Sequence, residues 1–134
     1  AAGGRGGGGG GAACGEARGE RQGGVVGRAG GMGGRVRCVQ CNGGGELMDG
    51  LYQEGAGSIG VIVNPAALRH YSYALMDGFR ALVGVPVVEV HLSNIHAREE
   101  FRSKSVTARA ARGVIMGLGF AGYGMAMEYL AKKQ

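Results

Sequence analysis

Residues 58–63 read Ser-Ile-Gly-Val-Ile-Val, bounded by Gly57 on one side and by Asn64-Pro65 on the other. A β-branched run without apolar–polar alternation has no face to turn to water. It predicts a strand covered on both sides, as in a parallel sheet. Residues 87–92 (Val-Val-Glu-Val-His-Leu) predict a second such strand, and Val114-Ile115-Met116 a further one. Upstream, alternation sets in at Arg35 and runs through Val36, Cys38 and Val39 to Gln40, a short strand ending near Asn42.

Helical patterns fill the intervals. Leu47, Met48 and Leu51 fall at helical spacing between Glu46 and Glu54, after a Gly43-Gly44-Gly45 turn. Ser72 is placed to cap a helix whose Leu75, Phe79 and Leu82 recur at i, i+4 and i+7, and Gly84 and Pro86 stop it. A basic, polar connection spans Arg98 to Arg112, and a final helix runs from about Phe120 to Lys133. Strand, helix, strand, helix, strand, connection, strand, helix is the order of a three-layer α/β fold with a parallel sheet.

The rest of the chain is of another kind. Of 31 Gly in 134 residues, 21 lie in residues 1–50, whereas every Tyr, Phe and His lies beyond residue 51. Residues 1–34 therefore read as a Gly/Ala/Arg-rich low-complexity leader, disordered because it has too little apolar surface to offset its ordering entropy. Residues 35–134 form the folded domain. No run approaches the ~20 apolar residues of a membrane-spanning helix, and no secretory h-region opens the chain, so a cytoplasmic protein is expected. Plastid or mitochondrial import is the lesser alternative, since the Arg-bearing, acid-poor opening contains no Ser before Ser58.

Several motifs invite chemistry that the arithmetic denies. The net charge of +5 comes without interleaved aromatics or repeated Arg-Gly-Gly units, which argues against nucleic acid. Cys38-Val39-Gln40-Cys41 has zinc or redox spacing, but there is no second pair, and the residues read as strand. Gly117-x-Gly119-x-x-Gly122 sits where a dinucleotide fingerprint would, yet only 12 residues follow Gly122. Neither a second strand nor the acidic ribose ligand about 20 residues on fits that length, so these glycines read as a tight turn and close packing.

In an open parallel sheet, ligands bind beyond the carboxyl ends of the strands. Asn64 to His70 follows one strand and Ser93 to Arg102 follows another. If the two strands are neighbours, Asn64, His70, His91 and Ser93 line one crevice. Glu89 and His91 are two apart on a strand and share a face. A carboxylate there favours the imidazolium and holds its tautomer, as a general acid requires. Each residue also has a plainer reading. A strand His beside a Glu occurs as a satisfied core pair, His96 among Arg98, Glu99, Glu100 and Arg102 occurs as a solvated turn, and Asn64 before Pro65 occurs as a turn residue. An amide, two imidazoles and an Arg gathered at two strand ends suit a small, hydroxylated, anionic substrate.

These residues resemble the type II 3-dehydroquinate dehydratases. Val90-His91-Leu92-Ser93-Asn94-Ile95-His96-Ala97-Arg98-Glu99-Glu100-Phe101-Arg102 looks like that family's strongest motif. Ile62 to Ala67, with His70, Ser72, Ala74, Leu75 and Asp77, is similar to its second. Gly113 to Gly119, then Gly122-Tyr123, is similar to its closing segment, and Gln40-Cys41-Asn42 with Gly45-Glu46-Leu47 echoes a fourth. The resemblance runs from about Arg35 to the end.

It implies a flavodoxin-like fold, assembly into a trimer-based homododecamer, and anti elimination of water from 3-dehydroquinate in the shikimate and quinate pathways, with no metal or organic cofactor. In that chemistry a lid Tyr takes the C2 proton, an enolate forms, and a His protonates the departing hydroxyl. Carried over, His91 is the acid and Glu89 its orienting partner. Asn64 and the backbone amides of Leu92 and Ser93 bind the carboxylate, His70 and Arg102 hold the ring hydroxyls, and Asp77 reaches a neighbouring subunit's site. The family's first strand, its lid and its first long helix have no counterpart in residues 1–34, and no Tyr occurs before Tyr52. The expectation is therefore a dehydratase by descent whose first strand and helix are replaced by the leader, with the acid half of its site present and the base half missing. Translation of GC-rich DNA out of frame would produce such a leader. The alternatives are a non-catalytic homologue kept for assembly or ligand binding, and a leader serving as an RNA-binding arm.

Overall fold

The computed structural model describes residues 11–14, 34–38 and 43–132. Its strands are β1 (Gly11–Cys14), β2 (Arg35–Cys38), β3 (Val61–Val63), β4 (Val87–His91) and β5 (Gly113–Met116), and its helices α1 (Gly44–Gly50), α2 (Tyr73–Ala81) and α3 (Ala121–Lys132). A wider helical turn, Leu51–Gly55, continues α1. Single 3₁₀ turns at Ile95–Ala97, Glu100–Arg102 and Thr107–Ala110 punctuate the connection between β4 and β5.

All pairing is parallel. Val63 stands opposite Glu89 across β3 and β4, and His91 opposite Met116 across β4 and β5. β1 pairs with β2, Cys14 opposite Cys38, and lies close beside β3. The spatial order is thus β2-β1-β3-β4-β5, the order of flavodoxin-like sheets.

Strand periodicity of two sorts side chains to opposite faces. Ile62, Val88 and Val90 pack with Tyr123, Ala126, Met127 and Leu130 of α3. Val61, Val63 and Val87 pack on the other face with Leu47 and Leu51 from α1 and its continuation, and with Leu75, Phe79 and Leu82 from α2 and its end. Full burial of each such aliphatic side chain is worth about 1.5–3 kcal/mol, which is what holds the three layers together. The apolar spacing read from the sequence is the packing observed. Ser72 caps α2 as expected, its Oγ accepting from the Leu75 amide at 3.1 Å.

Two expectations need correction. Gly11–Cys14, assigned to a disordered leader, forms β1. Neighbouring strands offer backbone donors and acceptors that a short extended peptide satisfies without any particular side chain. The remainder of 1–33 lies outside the described residues, as does 39–42, where β2 was expected to end. The strand expected at 58–63 begins only at Val61. Gly57 adopts the left-handed φ of +81°, and the Ser58 hydroxyl donates to the Gly55 carbonyl at 2.7 Å, so 56–60 is a turn. The Gly117 to Gly122 motif is the tight turn and close packing expected. Gly117 has φ +83° with Asn94 against it, and Gly122 faces Ile115 and Val90.

Candidate active site

β3 and β4 are neighbours, so their carboxyl ends open side by side. Beyond β3, Asn64 Oδ1 accepts from the Ala66 amide at 3.1 Å and closes a turn, and the 3₁₀ segment Ala66–His70 follows. Beyond β4, Asn94 Oδ1 accepts from the His96 amide at 3.0 Å, and buried Ile95 anchors the loop to the core. The turn after β5 braces the same strand end, since the Gly117 amide donates to the His91 carbonyl and the Gly119 amide to that of Leu92. Between the two loops lies a pocket of about 240 Å³ walled by Asn64, Arg69, His91, Leu92, Ser93 and Arg102, among others. That is slightly below the ~300–1,000 Å³ of drug-sized ligand sites, so it suits a small molecule.

His91 and Glu89 project from the same face of β4, and His91 Nε2 lies 2.6 Å from Glu89 Oε1. The carboxylate accepts a hydrogen bond from Nε2–H, leaving Nδ1 as the ring nitrogen for exchange with a ligand. Glu89 is 0% exposed. Two further donors reach it, Ser105 Oγ to Oε1 and Thr107 Oγ1 to Oε2, each at 2.7 Å. Burial alone would raise the Glu89 pKa, but the hydrogen bonds from His91, Thr107 and Ser105 outweigh it and hold the carboxyl below its ordinary value. The ionised form of Glu89 is therefore favoured, and it faces the His91 ring.

Beside the pocket, His70 Nδ1 donates to the Lys104 carbonyl at 3.2 Å. Its Nε2 is buried and has no hydrogen-bond partner among the described residues. Burial, then the neighbouring Arg69 charge, lowers the His70 pKa, so the ring is neutral and Nε2 is an acceptor for a hydroxyl. Arg102 lies over the Phe101 ring, and its Nε donates to Glu99 Oε2 at 2.6 Å. Bonding within residue 99 itself and then the Arg102 guanidinium hold the exposed Glu99 carboxyl below its usual range.

Of the residues singled out in the sequence, Glu89 and His91 form the expected pair, and Asn64, Leu92, Ser93 and Arg102 share the pocket wall with His91. His70 stands beside that wall rather than in it, facing Phe101 at 6.1 Å between ring centres. Asp77 stands apart on α2 with its side chain 73% exposed and an ion-pair contact to Arg80 at 4.0 Å. The sequence reading missed Ser105 and Thr107, whose hydroxyls fold back on Glu89. It also missed Arg69. The one available signal for the hydroxyls was their alternation, Ser-Val-Thr, inside an otherwise basic connection.

The family model for class II dehydroquinases matches residues 20–131. The chain belongs to the class II dehydroquinase family. The match opens about fifteen residues before Arg35, where the sequence resemblance was expected to begin. Curated relatives of this family include the 3-dehydroquinate dehydratase of Deinococcus radiodurans, 55% identical over 100 residues that cover 72% of this chain and 68% of the relative. That of Bacillus licheniformis is 53% identical over 90 residues, covering 67% of this chain and 61% of the relative. The chain thus spans about two thirds of the length of the curated dehydratases it matches. Among solved structures, the type II dehydroquinase of Butyrivibrio crossotus superposes with a TM-score of 0.84 at 30% identity, over 90% of this chain and 94% of the other. That of Propionibacterium acnes gives 0.80 at 33% identity, over 90% and 96%. The flavodoxin-like architecture expected from the dehydroquinase resemblance is the one observed. No helix among the described residues is long and apolar enough to cross a membrane.

Proposed function

We propose that this chain is a 3-dehydroquinate dehydratase, a hydro-lyase that forms 3-dehydroshikimate by anti elimination of water in the shikimate and quinate pathways. The observation that carries the proposal is the His91–Glu89 pair. It is a buried imidazole held by a carboxylate whose pKa is lowered, at the wall of a small pocket that has no carboxylate among the described residues of its lining. Family membership supplies the reaction, and the pocket supplies an acid and an anion-seeking wall.

In this reading, the substrate carboxylate lies against Asn64 and the backbone amides of Leu92 and Ser93. Oriented backbone N–H groups suit an anion. His70 Nε2 and Arg102 take the ring hydroxyls, Nε2 accepting and the guanidinium donating. When the C2 proton leaves, the electron pair passes into the enolate. The C1 oxygen then departs, taking a proton from His91 Nδ1, and the C1–C2 double bond completes the conjugated enone. Glu89 stabilises the imidazolium that this step consumes.

No tyrosine lines the pocket among the described residues, and Tyr52, Tyr71 and Tyr73 are exposed on the surface. We therefore assign removal of the C2 proton to water. Loss of a positioned general base typically costs about 100 to 10,000-fold, and turnover is expected that far below a complete family member. The assay follows ultraviolet absorbance of the enone product from dehydroquinate, with calorimetry for binding. No heat with dehydroquinate and no enone would overturn the reading. Assembly into a homo-oligomer, a dodecamer of trimers with Asp77 reaching a neighbouring site, belongs to the same proposal. The exposed apolar residues Val114 on β5 and Tyr129 on α3 support it, and size-exclusion chromatography tests it.

A further inference from the structure

Arg69 is the one buried titratable group at the pocket that the mechanism above does not use. It lies in the short segment after β3, is 5% exposed, and forms part of the pocket wall. A guanidinium carries five N–H donors. Two of Arg69's are placed, Nη1 on the Ala66 carbonyl at 2.8 Å and Nη2 on the Arg102 carbonyl at 3.0 Å, while Nε is buried with no partner among the described residues. The same residue's carbonyl accepts from the Val106 amide, so Arg69 ties the turn after β3 to both sides of the connection that follows β4.

What it lacks is a counter-ion. No carboxylate lies within ion-pair distance of Arg69 among the described residues, and the other cations of the wall, Arg98 and Arg102, add to its charge. Among the described residues Glu89 is the only acidic group that acts on it, and that carboxylate is already engaged by three donors. Arg98 and Arg102 reach water and are screened. The Arg69 guanidinium is largely withdrawn from water and is screened less, and a buried charge without an ion pair is costly enough that a pocket holding one favours an anion.

We propose that Arg69 is a specificity-determining residue of this pocket, a buried, fixed positive charge that selects the carboxylate form of the substrate over an uncharged analogue. The proposal rests on the dehydratase reading and names which side chain gives that site its preference for an acid. Arg69 acts on the substrate's charge, so its effect is on binding and leaves the proton step to His91.

The test compares the affinities of the 134-residue chain for dehydroquinate and for its methyl ester by calorimetry. The acid is expected to bind at least about tenfold more tightly than the ester in the unsubstituted protein, a preference kept within about threefold near 1 M salt, where exposed charges are screened. Arg69→Gln is expected to reduce the preference by about tenfold to a hundredfold. Arg69→Lys keeps the charge and is expected to stay within about threefold of the parent preference, although its single ammonium cannot brace both carbonyls. An unchanged preference in Arg69→Gln, its loss in folded Arg69→Lys, or its collapse in the parent protein at high salt would each overturn the proposal. The last measurement needs no substitution, so it decides the matter even if Arg69→Gln fails to fold. A parent protein that binds dehydroquinate without preferring it over the ester overturns the role of Arg69 alone. One that binds neither ligand overturns the dehydratase reading and this proposal with it.

Discussion

Arg69 in the pocket wall and Glu89 behind His91 are two buried charges, and the fold serves them in opposite ways. Glu89 receives an imidazole and two hydroxyls, so its charge is consumed within the protein. Arg69 receives two carbonyls and no anion. The difference separates two tasks. A group that must orient an acid is closed on itself, and a group that must attract a ligand is left electrostatically incomplete.

The sharpest way to break the closed side is through the ring that it orients. His91→Ala is expected to lower whatever enone formation the chain shows by about 100 to 10,000-fold, and an unchanged rate would refute its role as acid. Next in size, Glu89→Ala leaves an imidazole and two hydroxyls facing a void, and urea unfolding should show a loss of about 3–5 kcal/mol. Thr107→Val, which keeps the shape and removes one donor to the carboxylate, should lose about 1.5–3 kcal/mol. A loss below about 0.5 kcal/mol there would mean that the hydroxyl adds nothing to the clasp.

The same carboxylate predicts a pH dependence with a definite sign. The Glu89 pKa is lowered in the folded state, so its contribution is complete above the unfolded value near 4.3 and disappears as pH falls through the lower folded value. Urea midpoints taken from pH 6 down to pH 3 should therefore fall, and fall less steeply in Thr107→Val, where the shift is smaller. The smallest expected effect concerns Ala66 on the open side. Its φ of +50° lies in the left-handed region, which costs a residue with a Cβ about 1–2 kcal/mol. Ala66→Gly should recover up to about 1 kcal/mol in urea unfolding once the greater freedom of unfolded glycine is subtracted, and a destabilised Ala66→Gly would show that no strain resides there.

Where burial itself makes the pattern, the sequence was readable. β3 and β4 are covered on both faces, so every residue from Val61 to Val63 and from Val87 to His91 is buried, and selection for apolar side chains leaves the run that marks them. Glu89 and His91 were visible because a spacing of two on a strand is a geometric statement. β1 was not visible, since Gly-Ala-Ala-Cys has no apolar alternation and is held by backbone pairing with β2. Ser105 and Thr107 stand 16 and 18 residues from the carboxylate they serve, and only the return of the connection over β4 brings them there. Arg69 looked like one more basic residue beside a histidine, because its burial is a property of the assembled loops.

β1 also bears on how such a chain tolerates change. Its place in the sheet is secured by main-chain pairing in register with Arg35 to Cys38, a requirement that many unrelated tetrapeptides meet. The main-chain bonds of β1 thus place no demand of their own on which residues stand at Gly11–Cys14, whereas elimination chemistry depends on named side chains.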